Sequence, residues 1–136
     1  MINIPQIESD LKADEGFRDC VYQCSAGANT IGYGFNLDTN KMPESVASMI
    51  LRHSIAECIA DCEKLAWFYS LNGNRKAVII NMMFNLGSTR LCGFKRMIAA
   101  LEAKDYELAA DEMMESRWAV QVGSRAIRLS EEMRKG

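Results

Sequence analysis

The sequence predicts an α+β fold: a mainly α-helical lobe, a small antiparallel β-hairpin lobe and a cleft between them. Three observations carry this. Apolar residues recur at helical spacing before residue 15 and again from Met42 onward. Between these stretches, residues 17–37 alternate apolar and polar positions among glycines and turn formers, the pattern of short strands. The segment "RKAVIINMMFNLG" (75–87) is apolar nearly all round, as a central buried helix would be. At 136 residues the chain is one domain's worth, with 15–40 as the β lobe and 1–14 plus 42–136 as the helical lobe.

The elements follow in order. Ile4, Ile7 and Leu11 share a helical face behind Pro5, which is tolerated in a first turn, so a helix runs from Pro5 to Asp14 and stops at Gly16. The strands come next, with "SAGAN" (25–29) as their turn. Pro43 and Glu44 open a long helix marked by Val46, Met49, Ile50, Ile55 and Ile59, and "NGN" (72–74) interrupts the helical pattern. Gly87 stops the central helix. Further helical stretches fall around 93–104, 105–115, 116–122 and, after Gly123, 124–134. The expected core is Ile79, Ile80, Met82, Met83, Phe84, Leu86 and Phe94, with Trp118 against it. Cys58, Cys62 and Cys92 are expected to face the interior as small apolar residues.

Composition narrows the function classes. A hydrophobic fraction of 49% with 25% charged residues is that of a globular chain, and a net charge of −2 gives no general attraction for nucleic acid or anionic membranes. No apolar run approaches the roughly 18 residues of a membrane span. The start, "MINIPQIESDLKADEG", lacks the basic, apolar and cleavage regions of a secretory signal, and an odd count of five cysteines favours reduced thiols. Synthesis in the cytoplasm is therefore expected.

Chemistry concentrates in "EGFRDCVYQCSAGANTIGYG" (15–34). Glu15 stands at a helix end, where the partial negative charge of the terminus disfavours an ionised carboxylate and suits a general acid. The glycine-rich strands after it can set Cys24 and Thr30 across from that acid. The spacing is specific: Glu15, eight residues, Cys24, five residues, Thr30, then Ile31-Gly32-Tyr33-Gly34.

This pattern resembles the catalytic signature of the T-even-type phage lysozymes, glycoside hydrolase family 24, in which the second position is aspartate or cysteine. "INMMFNLG" (80–87), "GF" (93–94) and "ESRWAVQVGSRAIR" (115–128) are similar to that family's central helix, its exit and its last helices, while 38–72 matches weakly and looks shortened. The resemblance implies a lysozyme-like fold and hydrolysis of the β-1,4 bond between N-acetylmuramic acid and N-acetylglucosamine in peptidoglycan. It implies Glu15 as the acid, with Cys24 and Thr30 activating or orienting water in an inverting reaction. It further implies that Asn36, Phe84 and Asn85 contact glycan, and that Arg125 pairs with Glu15 and with Asp14. No cofactor and no metal is implied. The partner would be bacterial peptidoglycan and not nucleic acid or membrane. The chain would act in host lysis as a monomer that reaches the periplasm or cell wall through a separate holin-type pore.

Cysteine at position 24 matters, because an unperturbed thiol is mostly neutral at pH 7 where an aspartate is ionised. A thiolate is also a nucleophile, which leaves a retaining route open. Four rival readings use the same residues. A zinc site on Cys20/Cys24 or Cys58/Cys62 lacks the usual knuckle spacing, and Cys20 and Cys24 would share one strand face. A cysteine hydrolase would need His53, the only histidine, beside Cys24, yet "RHSIAEC" reads as a helix surface. A lytic transglycosylase would cut the same bond, and a non-catalytic wall-binding protein would have no need of Glu15 and Thr30.

Overall fold

The computed structural model describes all 136 residues. It is α+β as the sequence predicts, with eight α-helices and one three-stranded antiparallel sheet. The chain divides into two compact units, Met1–Ala47 and Ser48–Gly136.

In the first unit, α1 spans Ile4–Glu15. The Asn3 side chain caps it by accepting from the Gln6 amide at 3.2 Å, Pro5 sits in the first turn, and Gly16 at φ +70° ends it. The strands are β1 Arg18–Gln23, β2 Asn29–Gly32 and β3 Phe35–Asn36, in that spatial order. Arg18 pairs with Gly32 but Tyr22 pairs with Thr30, so four steps along β1 oppose two along β2 and the strand bulges. Simple alternation is therefore lost across 19–21, and the expectation that Cys20 and Cys24 share one strand face is corrected. Cys24 lies just past β1, where its amide bonds the Ala28 carbonyl at 3.0 Å and its carbonyl accepts from the Gly27 amide at 2.8 Å. The "SAGAN" turn is thus closed from both sides.

The second unit is helical. The long helix α2, Glu44–Glu63, leads into it and is followed by a 3-10 turn at Ala66–Ser70. Then come α3 Gly73–Leu86, α4 Ser88–Cys92, α5 Lys95–Glu102, α6 Tyr106–Met114, α7 Arg117–Val122 and α8 Ser124–Lys135. The "NGN" interruption is where α3 begins, since the Asn72 side chain accepts from the Arg75 amide at 2.9 Å. Helix α6 packs between α5 and α8, and α8 also lies against α3 and α7. The core gathers Val78, Ile79, Met82, Leu91, Met97, Leu101, Met113, Trp118, Leu129 and Met133, all essentially without solvent contact. Arg75 fastens the end of α8: its guanidinium donates to the carbonyls of Met133 (2.8 Å) and Arg134 (3.0 Å) and stacks 3.6 Å from the Tyr106 ring centroid.

Three core expectations need correction. Helix α3 is not buried all round: Val78, Ile79, Met82, Met83 and Leu86 make one face, and at 3.6 residues per turn Phe84 falls on the other, 48% exposed. Ile80 and Phe94 are only partly buried against the core. Cys92 is exposed because Leu91 takes the inward place on the short α4, which the sequence did not reveal as a helix. Cys62 is fully buried and Cys58 packs against the core, as expected.

Candidate active site

Each unit holds part of the predicted constellation. In the first, Glu15 is the last residue of α1, and its carboxylate rests on Gly34, the glycine between β2 and β3. A β-carbon built on Gly34 would stand 2.7 Å from Glu15 Oε2. The same turn is tied to the end of α1 by Tyr33, whose ring centroid lies 5.5 Å from that of Phe17 and 5.5 Å from Lys12 Nζ.

Cys24 and Thr30 are brought together by the turn between β1 and β2. Thr30 is the buried member, 3% exposed, and its hydroxyl donates to the Ala28 carbonyl at 2.9 Å. The Cys24 thiol is held below its ordinary pKa, first by the backbone at Ala28, then by the backbone at Ala26, with the Thr30 hydroxyl adding to this and burial opposing it. The physical cause is a turn that wraps hydrogen-bonding groups around one sulfur, with no charged side chain among them. The Thr30 hydroxyl has one proton, so it cannot serve the Ala28 carbonyl and a thiolate at the same time. As Cys24 ionises, that proton has reason to swing to the sulfur. The other thiols contrast with it: burial pushes Cys58 up and Cys62 up to about 11.

Asn36 pairs with Thr30 across β2 and β3. Its side-chain oxygen accepts from the amides of Asp38 (2.9 Å) and Thr39 (3.1 Å), so the oxygen is committed to the turn and the NH2 faces away from those bonds. Asp38 in turn holds the Asn29 backbone amide at 2.9 Å and its side-chain NH2 at 3.2 Å, which pins the start of β2.

In the second unit, the polar side of α3 carries Asn81, Phe84 and Asn85. Trp118 Nε1 donates to Asn85 Oδ1 at 2.9 Å, which commits that oxygen and leaves the amide NH2 outside this bond, and Phe84 is exposed on the same helix. Arg125, from α8, is held in place by Asn81: its Nε donates to Asn81 Oδ1 at 2.9 Å and Nη2 to the same oxygen at 2.6 Å. The sequence reading missed Asn81. Its signal was a polar residue one helical turn before Asn85 inside an otherwise apolar run. A hollow of about 230 Å³ adjoins Trp118, lined also by Leu86, Arg90, Phe94, Ser116 and Arg117. Asp14 and Arg125 belong to different units, Asp14 to the end of α1 and Arg125 to α8. His53 lies on α2 with Glu57 at 3.4 Å, an exposed pair.

A helix-end carboxylic acid, a thiol of lowered pKa and a buried hydroxyl on one glycine-rich hairpin make the class of site that acid-assisted glycoside cleavage needs. Comparison with known proteins bears on the family and its activity. The family described as phage lysozyme matches residues 12–132. Two relatives from Dictyostelium discoideum, described as probable T4-type lysozymes 2 and 1, are 24% and 27% identical, each alignment covering 93% of this chain and 92% of the relative. An endolysin of Acyrthosiphon pisum secondary endosymbiont phage 1 is 30% identical over 80% of this chain and 74% of its own. The chain belongs to the phage lysozyme family, and it is a peptidoglycan-degrading glycoside hydrolase of the lysozyme type.

Proposed function

We propose that Glu15, Cys24 and Thr30 are the catalytic residues of a muramidase used to lyse a bacterial host. The observation that carries the proposal is the turn of residues 24–30, which gathers the backbone at Ala26 and Ala28 and the Thr30 hydroxyl around the Cys24 sulfur. That arrangement favours the thiolate, so cysteine can do the work of a carboxylate. Glu15 protonates the glycosidic oxygen as the C1–O bond breaks. Positive charge develops at C1, and water attacks from the opposite face while Cys24 accepts its proton and Thr30 orients it. Glu15 ends ionised and Cys24 ends as a thiol, so one proton exchange resets the site. The NH2 groups of Asn36 and Asn85, whose oxygens are already engaged, and the exposed Phe84 ring are suited to bind sugar hydroxyls, acetamido groups and a pyranose face. Arg125, held in place by Asn81, is the cation that the second unit would bring to the reaction.

No helix is long and apolar enough to cross a membrane. We assign the enzyme to work on the wall as a monomer, passing the membrane through a separate holin-type pore. The test is mass spectrometry of peptidoglycan digested by the purified protein in 18O-labelled water. A reducing-end muramic acid carrying the label supports hydrolysis, and the anomer first released tells inversion from a thiolate-borne retaining route. A 1,6-anhydro end would identify a transglycosylase instead.

A further inference from the structure

Four glycines of the first unit, at 16, 27, 32 and 34, have positive φ, but only one of them has a side chain lying where its own would be. At Gly27 (φ +82°) and Gly32 (φ +69°), an added β-carbon meets nothing within 4 Å. At Gly34 (φ +73°) it would stand 2.7 Å from Oε2, 3.0 Å from Cδ and 3.4 Å from Cγ of Glu15. We infer that Gly34 is a positioning residue for the reaction: the place of its missing side chain is the seat of the Glu15 carboxyl group. The inference rests on Glu15 being the acid.

The physical consequence is asymmetric. Glu15 is an exposed side chain at a helix end, so a β-carbon at 34 would displace its carboxyl group with little effect on folding. Catalysis is less forgiving, because an acid misplaced by about 1 Å from its acceptor loses on the order of 100-fold in rate. The contacts of Tyr33 with Phe17 and Lys12 hold turn and helix end in register, so the displaced acid is not followed by the seat. Backbone strain is a separate cost, and Gly32, with nearly the same φ at the end of β2, measures it alone.

The experiment compares Gly34→Ala with Gly32→Ala by thermal melting and by kcat and KM on defined peptidoglycan fragments. The two are expected to melt alike. Gly34→Ala should lose about 100-fold in kcat with KM within about twofold of wild type, and Gly32→Ala should keep kcat. Equal kcat in the two variants, or a loss carried by KM, would overturn the seat. If either alanine variant fails to fold, Gly34→Asn against Gly32→Asn makes the same comparison, since asparagine accepts positive φ. Glu15→Gln is run alongside. If it is inactive while Gly34→Ala matches Gly32→Ala, only the seat is wrong. If it keeps activity, the acid itself is misassigned and the seat falls with it.

Discussion

The two units solve different problems. The second, Ser48–Gly136, is a packed helical body in which ten or more apolar side chains are out of contact with water. The first, Met1–Ala47, has a single buried residue, and that residue is polar: Thr30. Its shape comes from glycine dihedrals, Asx contacts and backbone turns. The buried core therefore resides mainly in one unit, and the chemistry we propose mainly in the other. Substitutions in the two should separate along those lines.

The largest effect on folding is expected in the helical unit. Leu101→Ala, at a site with no exposure, removes a core side chain and should cost about 2–5 kcal/mol in denaturant unfolding, while the protein that remains folded keeps its specific activity. The largest purely chemical effect should come from Cys24. Cys24→Ala is expected to cost on the order of 100-fold in kcat with little change in melting temperature.

The same residue gives the pH test. If the thiolate is the working form, activity rises as Cys24 ionises, at a pH below that of an ordinary thiol. Thr30→Val removes a group that lowers this pKa and should move the acid limb of the rate profile to higher pH. Cys24→Asp should move it lower, toward the carboxylate range. The sign for stability follows from the same depression. The ionised sulfur stabilises the fold fully above the pKa of the thiol in the unfolded chain, and that contribution is lost as pH falls through the lower folded value.

A smaller effect should blur the division. Asn85→Ala leaves the Trp118 N–H without its partner in a residue only 2% exposed, so it should cost about 1–3 kcal/mol of stability as well as substrate affinity. Loss of affinity without loss of stability would break the assignment of that amide to both tasks. The mildest test is alkylation by iodoacetamide at neutral pH, read by peptide mass spectrometry. Cys24 should react well before Cys58 and Cys62, whose thiols are raised by burial.

What could be read in the sequence differs between the units for a physical reason. Helical periodicity exposed α1, α3 and the last helices because a buried face repeats every 3.6 residues. It misled at Phe84, where a hydrophobic side chain serves an open surface, and at Cys92, where α4 is too short to show a period. In the first unit the Glu15–Cys24–Thr30 spacing was legible because a hairpin fixes it residue by residue. The bulge between Arg18 and Tyr22 was not, since it depends on register with a second strand. Nor was the commitment of the Asn36 oxygen to its own turn. The hold of Asn81 on Arg125 joins residues 44 positions apart and leaves no local trace.

The central claim is that the hairpin unit supplies the acid. Its most direct test is Glu15→Gln, assayed for muropeptide release from purified walls with its melting temperature measured alongside. The account predicts an unchanged melting temperature and a loss of release of about 100-fold or more. A folded Glu15→Gln protein that released muropeptides at the wild-type rate would contradict it.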